Sequence, residues 1–136
     1  MTHRDSAALA DVICAELDPL MTANGFLPGQ IGIGTDVGIV YCAPYEKFRR
    51  RFPHLAPTIH YSDEGACTDL NIYASVGGRS RLHDIRFDGV ALKELLADEG
   101  AGFADEADVI SELPADVAAA RLRLVLDKLY RRHAIV

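Results

Sequence analysis

The sequence predicts a two-layer α+β domain: a mainly antiparallel sheet with helices packed on one face. Three observations lead there. Residues 58–62, 66–76 and 80–87 alternate apolar and polar positions and are separated by the pairs Glu64-Gly65 and Gly77-Gly78, the pattern of a three-stranded meander over 58–87. Long segments at both ends repeat apolar residues at helical spacing instead. The alternation also leaves one sheet face apolar and the other polar, so only one face needs a cover.

The first helix is expected from about Asp5 to Asn24, with Leu9, Val12, Ile13, Leu17, Leu20 and Met21 as its apolar stripe. Asp5 or Ser6 can accept an orphan amide hydrogen at its start. Asn24-Gly25-Phe26 supplies its stop, with Gly25 free to take the left-handed conformation and Phe26 making the apolar contact after it. Pro19 lacks a backbone donor and is expected to kink the helix or split it at Asp18. Ile31–Ala43, rich in Gly, Ile and Val, reads as a hairpin or a bulged strand. Pro44 to Pro53 then forms a short helix with Tyr45, Phe48 and Phe52 on one side.

If both meander turns have two residues, the register follows by counting. Ile59, Leu70 and Ile85 fall in one apolar row, Tyr61, Thr68 and Phe87 in the next. The opposite face then carries His60–Asp69–Arg86 and Thr58–Asn71–Asp84, and His83 falls opposite Ile72. Asp88-Gly89 is expected to lead into a helix from about Val90 to Glu99, with Leu92, Leu95 and Leu96 apolar and Gly100 as its stop. Gly100–Leu113 reads as an acidic connection without clear periodicity. The last helix is expected from Pro114 to about Arg132, its core side formed by Val117, Ala118, Leu122, Val125, Leu126 and Leu129.

The 136 residues fit a single domain, 1–136, and 49% hydrophobic with 25% charged residues is globular composition. Fourteen Lys and Arg stand against 20 Asp and Glu, giving a net charge of −6. That acidity disfavours direct nucleic-acid binding, which neutralises phosphates over a wide surface. No apolar run approaches a transmembrane length, so no membrane association is expected, and MTHRDSAALADV places acids where a signal peptide would be apolar. Three cysteines (Cys14, Cys42, Cys67) form no CxxC pair or even-numbered framework, which fits a reducing, cytoplasmic compartment.

Several segments invite a chemical reading. Gly32-Ile-Gly34-Thr-Asp-Val-Gly38 is one residue too long for the dinucleotide fingerprint, and no helix is expected after it; a tight hairpin explains it better. Lys47, Arg49, Arg50 and Arg51 crowd five positions, and Arg49 and Arg50 are candidate contacts for an anion or an acidic partner. His60, Asp69 and Arg86 form the one constellation that looks chemical, since a carboxylate between imidazole and guanidinium stays ionised and supports the imidazolium. Paired charges across strands also simply stabilise sheets. The histidines form no HxH or HxxxH pair, so no metal is expected, and no cofactor motif is present. Cys67, on the polar face, has no evident histidine partner, and no serine lies in GxSxG.

From Glu94 to Ala120 there are eight acids and no Lys or Arg. Among them Asp98, Glu99, Asp105, Glu106, Asp108 and Glu112 are the candidate partner-binding residues, because a one-signed field speeds and orients docking of a basic protein. The expectation is a non-enzymatic interaction protein, most concretely an immunity protein or inhibitor that neutralises a basic effector such as a nuclease toxin. Its alanine- and arginine-rich wording with few lysines fits a GC-rich bacterial source. The alternative is a small enzyme or ligand-binding domain using His60, Asp69 and Arg86.

Overall fold

The computed structural model describes residues 3–55, 60–62, 65–77 and 79–134, with the backbone alone at 3–4, 60–62 and 65–66. The elements in order are α1 His3–Ala23, β1 Gln30–Ile33, β2 Asp36–Pro44, α2 Tyr45–Arg51, β3 His60–Ser62, β4 Gly65–Ser75, β5 Arg81–Phe87, β6 Val90–Ala91, α3 Leu92–Ala97, α4 Glu106–Glu112 and α5 Ala115–His133. All strand pairs are antiparallel, in the order β1-β2-β4-β5-β6, with β3 paired to the start of β4. The expected α+β architecture, a sheet with helices on one face, is what forms.

α1 ends as its sequence requires. Gly25 takes φ +94°, its N–H donates to Thr22 O, and the Phe26 N–H reaches back to Met21 O at 3.0 Å. Of the two expected effects of Pro19, the split at Asp18 does not occur: the helix runs through Pro19. Its buried side is Ala10, Ile13, Cys14, Leu17 and Met21, whereas Val12, expected in the stripe, is 46% exposed. α5 shows the same small rotation: Ala119 and Tyr130 join the core and Val117 is 48% exposed. In both helices alanines are buried, Ala10 in α1 and Ala115, Ala118 and Ala119 in α5, which a count of large apolar residues overlooks. α1 packs on β2, α5 packs on β5, and the two helices pack on each other.

The core-facing residues of the sheet are Val37, Ile39, Tyr41 and Ala43 on β2, Thr68, Leu70, Ile72 and Ala74 on β4, and Leu82, Ile85 and Phe87 on β5. α2 adds Phe48 and is followed by Phe52; these two rings lie 4.9 Å apart and meet Phe26, Phe87 and Tyr130 at centroid separations of 5.2–5.5 Å. Burying one such ring contributes roughly 2–3 kcal/mol, so this cluster anchors the short α2 to the sheet.

The meander is present, but its register differs from the one obtained by counting. Ser62 pairs with Gly65, so Gly65 belongs to the strand and not to the expected Glu64-Gly65 turn, and His60 pairs with Cys67; Glu64 lies outside the described residues. Ile59 and Thr58 lie outside the described residues. On the other side Leu70 pairs with Phe87 and Asn71 with Arg86. Both shifts are of two residues, the smallest slip that keeps each side chain on its face. A bulge opposite Tyr73/Ala74 explains part of the difference. Leu82 and Ile85 are three apart, so both can enter the core only if His83 and Asp84 together face away. His83 therefore does not oppose Ile72; Ile85 does. Cys67 also pairs with Pro44, so β2 occupies one flank of β4 and β3 lies on the β5 flank.

Two further stretches differ in part from expectation. The helix expected from about Val90 forms as α3 but starts at Leu92, because Asp88-Gly89 first closes a two-residue hairpin onto β6: Phe87 pairs with Val90, and both turn residues have positive φ (50° and 82°). The stretch expected to lack periodicity contains α4, held by buried Ile110 with Phe103 before it.

Candidate functional site

The acidic stretch falls on α3, α4 and the start of α5. In the fold, half of its candidate residues are engaged by cations from flanking elements. Glu99, just after α3, accepts from His133 Nε2 at 2.7 Å and lies 3.5 Å from Arg132 Nη1; Arg132 also donates to the Glu99 carbonyl at 2.7 Å. Glu106, the first residue of α4, accepts two 2.7 Å bonds from the Arg121 guanidinium, which holds its carboxyl below the ordinary carboxylate range. Asp108 meets Lys93 Nζ at 3.2 Å. The linear window from Glu94 to Ala120 thus reads as one-signed, while packing brings in Lys93 and Arg121 from either side of it and Arg132 from the far end of α5.

The other half stays free for contact. Asp98, Asp105 and Glu112 are exposed and form no ion pair with any described residue, and the same holds for Glu94 and Asp116. Five carboxylates without an ion pair to a described residue therefore follow one another along the chain from α3 through the first turn of α5, with Asp116 sharing a cleft with Arg79 and Arg81. Asp116 also sits where the positive end of the α5 dipole favours a carboxylate.

The polar sheet face does not assemble the expected row. His60 pairs with Cys67, Asp69 with Cys42, and Arg86 with Asn71, which separates the three into different rows. The two-residue register shift is the cause. Asp69 is used by the β5–β6 turn: its N–H donates to Asp88 Oδ1 at 2.8 Å, and the Asp88 N–H donates to Asp69 O at 2.9 Å. Arg86 takes Asp84 as its carboxylate, at 3.1 Å, and donates to Gly89 O. Arg49 and Arg50 lie on the exposed side of α2 and make no ion pair with described residues. Arg51 lies over the Phe52 ring, 5.4 Å from its centroid.

Counting residues misses a histidine–carboxylate pair. His83, turned outward by the bulge, sits 3.1 Å from Asp36 Oδ2. Beside it opens a cleft of about 160 Å³, lined by Leu82, His83, Asp84, Lys93, Asp108 and Ser111. Each charged group on its wall already has a partner: His83 with Asp36, Asp84 with Arg86, Lys93 with Asp108. The Ser111 hydroxyl donates to Asp108 O at 2.8 Å. The sequence signal for this pair is the Leu82–Ile85 spacing, which requires the bulge.

Cys14 and Tyr41 lie at the α1–β2 interface. Burial raises the Cys14 thiol above its ordinary value, the condition opposite to that of a reactive thiolate. Among the described residues no group of three His, Cys, Asp or Glu side chains could hold a metal ion, and no helix is long and apolar enough to cross a membrane. No protein-family model matches the sequence, and no curated protein or solved structure is significantly similar to it.

Proposed function

We propose that this chain is a non-enzymatic protein-binding domain that neutralises or regulates a basic protein, in the manner of an immunity protein or inhibitor of a bacterial effector. One observation carries the reading. Glu94, Asp98, Asp105, Glu112 and Asp116 are exposed carboxylates, successive along the chain, that form no ion pair with a described residue. Such a surface steers and orients a basic partner, and its attraction weakens with salt. The net charge of −6 extends the same field beyond the contact area. Glu99, Glu106 and Asp108 serve that surface differently: the pairs of Glu106 and Asp108 link α4 to α5 and α3, and Glu99 links the end of α3 to the end of α5.

The test is affinity capture by the intact chain from lysate of its source cell at low and moderate salt, with identification of what elutes. A stoichiometric basic protein released by salt is the expected result. Capture of nothing, or of a partner whose retention ignores salt, would contradict the reading.

A further inference from the structure

We propose that the free edge of β1 is a self-association surface, where a second copy of this chain adds its own β1 antiparallel to the first and continues the sheet across a two-fold axis. β1 ends the strand order, so its outer edge has no strand partner among the described residues. Exposed edges are normally blunted by lysine, by an inward charge or by proline within the strand. β1, Gln30-Ile-Gly-Ile33, has none of these, and all four of its residues are exposed.

Charge and register select a second copy as the occupant. Residues 27–35 contain no charged side chain in a chain of net charge −6. Two copies therefore repel each other least where these segments meet. Side chains directly opposite in an antiparallel pair share a face. Setting Gly32 opposite Gly32 of the second copy places Ile31 against Ile33 and Ile33 against Ile31, all four on the helix-bearing side. Ile31 and Ile33 are 44% and 38% exposed in the single chain, and Leu27, just before the strand, is 53% exposed. The contact is isologous, as a two-fold dimer requires. β1 lies at the opposite end of the strand order from β6, which leads into α3. Dimerisation would thus leave both acidic surfaces free, giving a bivalent molecule.

Sedimentation of the full chain across a wide concentration range tests this. A reversible monomer–dimer equilibrium is expected. I31K/I33K should be monomeric, with the circular dichroism of wild type and thermal unfolding close to that of wild type diluted to the monomer, because both side chains are largely exposed in the single chain. Gly32→Cys has open space for its Cβ and should form a reducible covalent dimer on mild oxidation. Gln30→Cys, off the axis, should not, with wild type controlling for the native thiols. A wild-type monomer at every concentration, a dimer that survives I31K/I33K, or equal cross-linking at positions 30 and 32 would each overturn the proposal.

Discussion

The Tyr41 hydroxyl donates a 2.6 Å hydrogen bond to Asp18 Oδ1, tying the last turns of α1 to the centre of β2. The same carboxylate oxygen accepts the Gly29 N–H at 3.4 Å, so three consecutive pieces of chain converge on one charged acceptor. Tyr41 is wholly buried, and a hydrogen bond to a charged group contributes more than a neutral one. Tyr41→Phe should therefore lower unfolding free energy by about 2 kcal/mol. Chemical denaturation measures it, and a loss too small to resolve would show that the bond is not a support of the helix–sheet interface.

Gly29 lies against the same tyrosine. A Cβ there would sit 3.0 Å from Tyr41 Cζ and 3.1 Å from Ile39 Cγ2, and neither buried side chain can swing into solvent. Gly29→Ala is expected to destabilise by about 1–3 kcal/mol, the range of core overpacking, despite being a small substitution in a connecting segment. Introduced into a Tyr41→Phe background, Gly29→Ala should cost a similar amount, because the clash is with the ring and not the hydroxyl.

Alkaline pH should unfold the protein through its tyrosines. Burial, reinforced at Tyr41 by the Asp18 carboxylate, raises both Tyr41 and Tyr130 above their ordinary value of 10. Above that value the unfolded chain releases protons that the native chain keeps, so stability is complete below pH 10 and declines as pH rises. Tyrosinate absorbance from these two rings should appear only with unfolding. Tyr41→Phe and Tyr130→Phe should each flatten the alkaline decline.

What is legible in the sequence follows from which signals are local. The Gly25 stop of α1, the aromatic side of α2 and the faces of β4 are readable, because each depends on a few neighbouring residues. Register is not. A shift of two residues leaves every face intact, so alternation alone does not distinguish His60 opposite Asp69 from His60 opposite Cys67. The candidate His60–Asp69–Arg86 row depends on that undetermined choice. The acidic surface is half readable: Asp98, Asp105 and Glu112 keep their charge free, while Glu106 and Glu99 are claimed by Arg121 and by His133 with Arg132, residues remote in sequence. The hairpin at Asp88-Gly89 has a strong local signal, since Asp-Gly suits a primed turn, but the leucines of α3 that follow extend the helical reading back over Val90 and Ala91.

That turn gives a sharp substitution test. Gly89 has φ 82° and open space where a methyl group would project, so alanine there would be penalised by backbone conformation alone. Gly89→Ala should cost about 1 kcal/mol. Gly34→Ala, with equally open surroundings and no positive φ, should be close to neutral by the same thermal unfolding measurement.

If the carboxylates of α3 to α5 that form no ion pair hold a basic partner, reversing their charge should release it. Wild type and the charge-reversed E94K/D98K/D105K/E112K chain would be captured side by side from the same lysate and then titrated against the recovered partner. None of the four side chains forms an ion pair with a described residue, so circular dichroism and thermal unfolding should remain near wild type. Reversal is expected to abolish capture, and wild-type affinity to fall steeply with salt. A folded reversal variant that binds the same partner with unchanged affinity would contradict the proposed function.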